Sequence, residues 1–434
     1  DKILFDSRYA PQGKPEVRMK AINEYMDFMR GGALRVENAV YKKAKEIFGQ
    51  NIFIGIHDTY HNHLTNDEIW ANGISWWKDP PGYGQTDEKT PLPIQMGIAM
   101  AHTKNAMYNQ YYDKIFPPVQ EKALFDVRYG VRTHYHAMHD KRSNRFDLLM
   151  PDAIDGINKV ERGARLLNKF NPSLPEIKLL VVFGMEALQN WYPNNADRGM
   201  YDINDKLGIE EKAVAIWNAG YLNALIPSDL IADGQLKIGS DGKPVINGHQ
   251  FDAVAYLYPQ YAKELELKFL EEYESKGGKL MIEGNADHDF NANSISKRFK
   301  AIYGKATVKG YSIDDFSKLG ISKNLLPDGC RNADGSYVFT DLNSIRTGSV
   351  ASFSVNFNGD DYSGKYKGLA VINADKKNGL KKFAASGFEE LSRNGEIVLQ
   401  FNEPVDVFVK KEGTKYTITI ADASRKIKPL INKL

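Results

Sequence analysis

The chain of 434 residues has a single cysteine, Cys330, so it can form no internal disulfide and no thiolate metal cage. No apolar run reaches the ~18 residues that would suggest a membrane span, and no membrane partner is expected. Neither sign of charge dominates, since the formal net charge is +2. The composition therefore gives no electrostatic reason to expect nucleic acid or an anionic lipid surface as a partner. The first residues, starting at Asp1, lack the charged region and apolar core of a signal peptide. No G-x-G-x-x-G follows a predicted strand, which leaves nucleotide binding with little support, and no His-Glu-x-x-His is present.

The length predicts two to four domains with ample cores. Three zones differ in texture. In the first, residues 1–172, histidine and tryptophan crowd together: His57, His61, His63, His102, His134, His136 and His139, with Trp70, Trp76 and Trp77. Val17, Ile22, Tyr25, Met26 and Met29 recur at helical spacing, predicting a helix over 17–48 that Gly49 ends. NIFIGIHD (51–58) reads as a buried strand emptying into a polar loop. LPIQMGIAMAH (92–102) resumes a helical pattern, and YGVRTHYHAMHD (129–140) reads as a further strand with a polar end. A helix over 151–170 closes the zone.

The second zone, residues 173–334, opens on the apolar strand KLLVVFG (178–184). Amphipathic helices then alternate with strands at 222–226, 251–258 and 279–283, which argues a parallel sheet wrapped on both faces. Gly277 and Gly278 are placed as a helix C-cap. The third zone, residues 335–434, switches to period two in SVASFSVNF, GLAVIN, VDVFVKK and KYTITIA. Turn signals at Asn394–Gly395 and Glu412–Gly413 separate such runs, predicting an antiparallel β-sandwich.

Polar residues gather at the strand ends of the first zone: Asp58; Asp87 and Glu88; His134, His136 and Asp140. That is where a (β/α)₈ barrel carries its active face. Three strands fall short of eight, so this zone is expected to be the back half of a barrel. The aromatic residues suit sugar, whose C–H faces stack on Trp and Tyr while its hydroxyls need His, Arg, Asn and Asp. Tyr60, His61, Trp76 and Trp77 fall on loops leaving adjacent strands, and His134 and His136, with Arg132, share one face of a strand. An ionised carboxylate at a strand end, flanked by Thr86 and Thr90, suits a nucleophile; Glu88, Asp87 and Asp58 are the candidates. A solvated Asp-Glu loop pair and satisfied core histidines explain the same residues without chemistry. A metal-dependent hydrolase would instead use His57, His61, His63, His134, His136 and His139 as nitrogen ligands. A non-catalytic carbohydrate-binding protein is the third class. An amidotransferase would need a cysteine nucleophile with a nearby base, and Cys330 falls in a polar loop, PDGCRNADG.

A barrel end, an α/β domain and a β-sandwich in that order resemble the clan A glycoside hydrolases of the family 42 β-galactosidase type. FDAVAYLYPQYAKELELKFLEEYESKGGKLMIEGN (251–285) resembles their flavodoxin-like middle domain, and GYGQTDEKTPLPIQMGIAMAH (82–102) their seventh barrel strand and its helix. The β-mannosidase-like enzymes of glycoside hydrolase family 164 are the nearest resemblance. It implies a retaining, exo-acting β-glycosidase with Glu88 as nucleophile and with its acid/base glutamate on the fourth barrel strand, outside these residues. Asp58, Tyr60, His61, Trp76, Trp77, Asp87, Arg132, His134 and His136 would then bind an oligosaccharide or glycoside. No cofactor is implied. A homotrimer through the middle domain and a periplasmic or secreted location are expected.

Overall fold

A computed structural model describes residues 15–49, 56–57, 75–77, 90–103, 108–111, 116–136, 151–190, 206–324, 326–421 and 427–434. They form two compact units, each assembled from separated stretches: Asp1–Lys104 with Ile177–Lys323, and Asn105–Glu176 with Asn324–Leu434. Segment 1–172 contributes to both units, segment 173–334 contributes 177–323 to the first and its two ends to the second, and segment 335–434 falls in the second.

The first unit is built on five parallel strands in the order Val308–Lys309, Lys279–Glu283, Ala253–Leu257, Leu179–Phe183, Asn223–Pro227. The chain enters at Leu179–Phe183, adds Asn223–Pro227 on one side and then builds outward on the other. Three of these strands, Leu179–Phe183, Asn223–Pro227 and Ala253–Leu257, are buried at every residue. That explains their continuous apolar runs: a strand covered on both faces has no solvent side to mark by alternation. Helices Ile209–Asn218, Glu264–Ser275 and Ser296–Lys305 belong to the connections. Gly277 takes φ +77° and closes the second of these helices as expected, its N–H reaching Glu274 O at 2.9 Å.

Asn223–Pro227 is an edge strand, and edges need cover. The helix Leu92–Ile98, continued by the π-helical turn Ala99–Thr103, supplies it. All seven residues of Leu92–Ile98 are buried. Gly97 approaches so closely that a Cβ added there would lie 2.1 Å from Leu225 O. The helix Pro15–Phe48 belongs to the same unit and ends where expected: Gly49 has φ +98° and its N–H donates to Lys45 O at 3.0 Å. The strand Ile56–His57 pairs in parallel with Ser75–Trp77.

In the second unit, strands Tyr108–Tyr111 and Thr133–His136 are parallel partners, and the helix Phe116–Arg128 connects them. Among the described residues, segment 1–172 thus contributes four short strands in two parallel pairs, and no closed barrel. The rest of the unit is an antiparallel sheet of nine strands between Gly329–Arg331 and Ile431–Asn432. It is one continuous sheet that curls over its own core. Phe339 of Tyr337–Thr340 and Phe353 of Ala351–Phe357 have three strands between them in the sheet order, yet their rings stack 5.1 Å apart. Strands Gly379–Arg393 and Glu396–Glu412 make this bend through repeated register shifts. On the other face, helices Phe116–Arg128 and Pro151–Phe170 bury Val127, Val160, Leu167 and Phe170 against Leu369, Val371 and Ala384. Cys330 is not in a polar loop. It is fully buried on Gly329–Arg331, where pairing with Tyr337–Thr340 turns it inward, and burial pushes its thiol up.

Candidate functional site

Asp58, Tyr60, His61, His63, Asp87, Glu88 and His139 lie outside the described residues. Trp76 and Trp77 belong to Ser75–Trp77, where Trp77 is the register partner of His57. His134 and His136 stand opposite Asn109 and Tyr111 on the second parallel pair. Arg132, just ahead of that strand, is buried and turns to the chain's own acceptors. Its guanidinium donates to Asn171 Oδ1 at 3.3 Å and to Pro172 O, the residues that leave the Pro151–Phe170 helix. Burial lowers its pKa from the ordinary guanidinium value, against the pull of Asp334.

The approach to Glu88 is described from Thr90 onward. Thr90 is buried, and Pro91, extended at φ −60° and ψ 141°, is the N-cap of Leu92–Ile98. Gln95 Nε2 reaches back to Thr90 O at 2.9 Å, which fixes the direction from which the chain enters the helix. Gln95 Oε1 is buried with no hydrogen-bond partner among the described residues.

A second concentration of charge lies where the parallel strands end. In open α/β sheets, ligands bind outside the carboxyl ends, at the point where strand order reverses. Here that point falls between Leu179–Phe183 and Ala253–Leu257. Gly184 closes it: its N–H donates to Leu257 O at 2.8 Å, and a Cβ there would sit 2.0 Å from Tyr258 O. Acids follow the strands at once, Glu186 after the first and Asp229 after Asn223–Pro227. Lys263 Nζ lies 3.2 Å from Glu186, 3.4 Å from Asp229 and 2.7 Å from Asp27. Arg30 pairs with Asp229. Ser228 Oγ donates to Glu186 Oε2 at 3.2 Å, and Tyr256 OH to Glu266 Oε2 at 2.6 Å.

These environments move the titrations apart. Burial first, then the charge of Asp229, pushes the Glu186 carboxyl up. Burial and Glu186 hold Glu266 well above the usual carboxylate range, and burial with Glu266 does the same to Tyr256. Burial would also raise Asp229, but Arg30 and Lys263 outweigh it and hold that carboxyl low. For Lys263, burial opposes the charge while Glu186 and Asp229 restore it and raise its pKa.

The Pro15–Phe48 helix lies across these ends. Besides Asp27 and Arg30, it brings Asn23, which donates to Phe290 O at 2.9 Å and accepts from Asn190 at 2.8 Å. The crevice is thus spanned by the chain's own helix, and the cluster works as a clamp. It was missed in the sequence, although FGME and IPSD each place an acid just past an apolar run. Among the described residues, no three His, Cys, Asp or Glu side chains converge to hold a metal.

No protein-family model and no curated protein matches the chain. Among solved structures it is similar to an apo exo-carrageenase of glycoside hydrolase family 42 from Bacteroides ovatus. That match has TM-score 0.46 and 10% identity, covering 92% of this chain and 55% of that one. It is also similar to a β-galactosidase from the Antarctic haloarchaeon Halorubrum lacusprofundi, with TM-score 0.44, 11% identity and coverages of 97% and 58%. A family 42 β-galactosidase matches with TM-score 0.31, 10% identity and coverages of 69% and 37%. The chain spans at most 58% of the length of these glycoside hydrolases. No helix among the described residues is long and apolar enough to cross a membrane.

Proposed function

We propose that the chain belongs to a retaining, exo-acting β-glycosidase that cleaves terminal β-linked mannose or galactose, with Glu88 as nucleophile. The observation that carries this reading is the segment GYGQTDEKTPLPIQMGIAMAH. Its second half is a buried helix whose Gln95 holds Thr90 O at 2.9 Å, and the acidic pair precedes that helix in the sequence, as the glycosidase resemblance requires. Glu88 attacks the anomeric carbon. An acid/base glutamate outside these residues protonates the leaving oxygen, then activates water to release the sugar. Trp76 and Trp77 stack on the ring. The order of the five parallel strands supports a flavodoxin-like middle domain, through which the protein forms a homotrimer, and a secreted or periplasmic location fits a glycan substrate.

The test uses the full-length protein. A 2-fluoro β-glycoside with a good leaving group should inactivate it and label the peptide containing GQTDEKTP. Glu88→Ala should abolish most turnover of aryl β-glycosides, and azide should restore part of it with inverted product configuration. Comparing aryl β-mannoside with β-galactoside identifies the sugar. If Glu88→Ala keeps more than about a tenth of kcat, a barrier change under ~1.4 kcal/mol, Glu88 is not the nucleophile.

A further inference from the structure

Outside the residues assigned to that chemistry, the second unit carries a groove of about 560 Å³ between the Pro151–Phe170 helix and the antiparallel sheet. Arg162, Arg165 and Lys169 form its helix wall; Asp406, Phe408 and Thr419 belong to the sheet wall. The sequence places the cations by arithmetic. Spacings of three and four residues keep all three on one helix face, spread over ~10 Å of axis. On the facing strands, Phe408 and Thr419 are direct register partners.

The three cations are not equivalent. Arg162 Nε donates to Asp406 Oδ2 at 2.7 Å, and its NH2 lies 2.7 Å from the same oxygen. Asp406 is itself fixed, because its other oxygen accepts the Gly387 N–H at 2.9 Å. Arg162 is therefore oriented and neutralised. Arg165 has no carboxylate partner among the described residues, and Lys169 Nζ sits 4.8 Å above the Phe408 ring. Both are exposed and leave the groove positive. A smaller cavity of about 160 Å³ shares Arg162 and Asp406 and adds Lys159 and Lys367, whose charges are met by Asp155 at 2.7 Å and Glu389 at 3.9 Å, so the uncompensated charge stays with Arg165 and Lys169.

We infer that this groove binds a sugar segment bearing sulfate or carboxylate groups, with Arg165 and Lys169 supplying the charge and Arg162 a preset guanidinium. Charge complementarity selects an anion. The choice of a sugar to carry it rests on the glycosidase reading. Nucleic acid is disfavoured on two counts. The chain is nearly neutral overall, at +2, and Phe408 is buried, so it offers no ring face on which a base can stack.

Calorimetric titration of the full chain tests the inference, using a sulfated galactan oligosaccharide, an oligouronate and a neutral galactan oligosaccharide of equal length. Carrying the measurement out on Glu88→Ala reads binding without turnover, so a failed nucleophile assignment and a failed groove are separate results. One or both anionic sugars should bind more tightly than the neutral one, whose binding at the Glu88 site does not involve the groove; which anionic sugar gains affinity identifies the group recognised. Arg165→Glu with Lys169→Glu, both on the exposed helix face, should weaken binding about tenfold or more, as expected for two lost charge-assisted contacts. Three outcomes would overturn the proposal: no binding of either anionic sugar, equal binding by the double variant, or equal binding of the neutral sugar. Tighter binding of a single-stranded oligonucleotide or of phosphatidylserine vesicles, dependent on Arg165 and Lys169, would reassign the groove.

Discussion

Glu266 is fully buried in the first unit, and its carboxyl takes a hydrogen bond from Tyr256 and sits 3.3 Å from the N–H of Lys263. Burial and the nearby Glu186 keep it protonated well past the usual range. The sign of the pH effect follows. An unfolded glutamate releases its proton near pH ~4.3, whereas the folded one keeps it. Stability from this group is therefore complete below that value and declines as pH rises, by about 1.4 kcal/mol per unit, until the folded carboxyl ionises. Glu266→Gln resembles the protonated acid in shape and cannot ionise. Urea unfolding followed by circular dichroism should show the variant losing less stability than the wild-type chain between about pH 5 and 8. Parallel losses would mean that Glu266 is ionised in the fold. None of this is visible in KELELKF, where Glu266 looks like one more exposed helix acid; only the packing of the helix on its strand buries it.

Among the elements, the long and strongly patterned ones were legible and the edges were not. The helices Pro15–Phe48 and Pro151–Phe170 and the strand Lys279–Glu283 lie within two residues of where spacing and glycine placed them. The strand Gly379–Arg393 escaped notice because Gly387, at φ +51°, breaks its alternation. Nor could the pattern of LPIQMGIAMA say what it covers. Its seven buried residues fit a barrel helix equally well, and only the approach of Gly97 to Leu225 O shows that it seals a sheet edge. Gly97→Ala should therefore destabilise the chain by about 1–3 kcal/mol, the usual cost of overpacking. Gly31→Ala is the control: its new Cβ meets only the far end of Arg35, at 3.5 Å. It should raise stability by up to ~1 kcal/mol through helix propensity. Thermal melts of the two variants should move in opposite directions; a Gly97→Ala melt at or above wild type would show that the contact yields.

At the scale of the molecule, the Pro15–Phe48 helix buries Ile22 and Asn23 but leaves Phe28, Val36, Val40 and Ile47 each at least 60% exposed. A solvated apolar stripe of this kind favours association. Light scattering on the chain should show mass rising with concentration, and Val36→Lys with Val40→Glu should suppress the rise; a monomer at every concentration would show that the stripe is tolerated in water.

The sequence alone determined what depends on local pattern. Hydrophobic period separated the fully buried parallel strands from the alternating ones, glycines set the ends of the helices, and the acidic pair before LPIQM marked where chemistry was to be sought. Tertiary structure decided what depends on residues far apart in the chain. It drew residues 1–104 to one sheet and 105–176 to the other, and it gathered Arg30, Glu186, Asp229 and Lys263 from four distant segments into one clamp. It also turned Arg132 from a candidate sugar ligand toward a helix end. The physical reason is that period and propensity act over a few residues along the chain, whereas burial and charge pairing act through space between segments that sequence order does not relate.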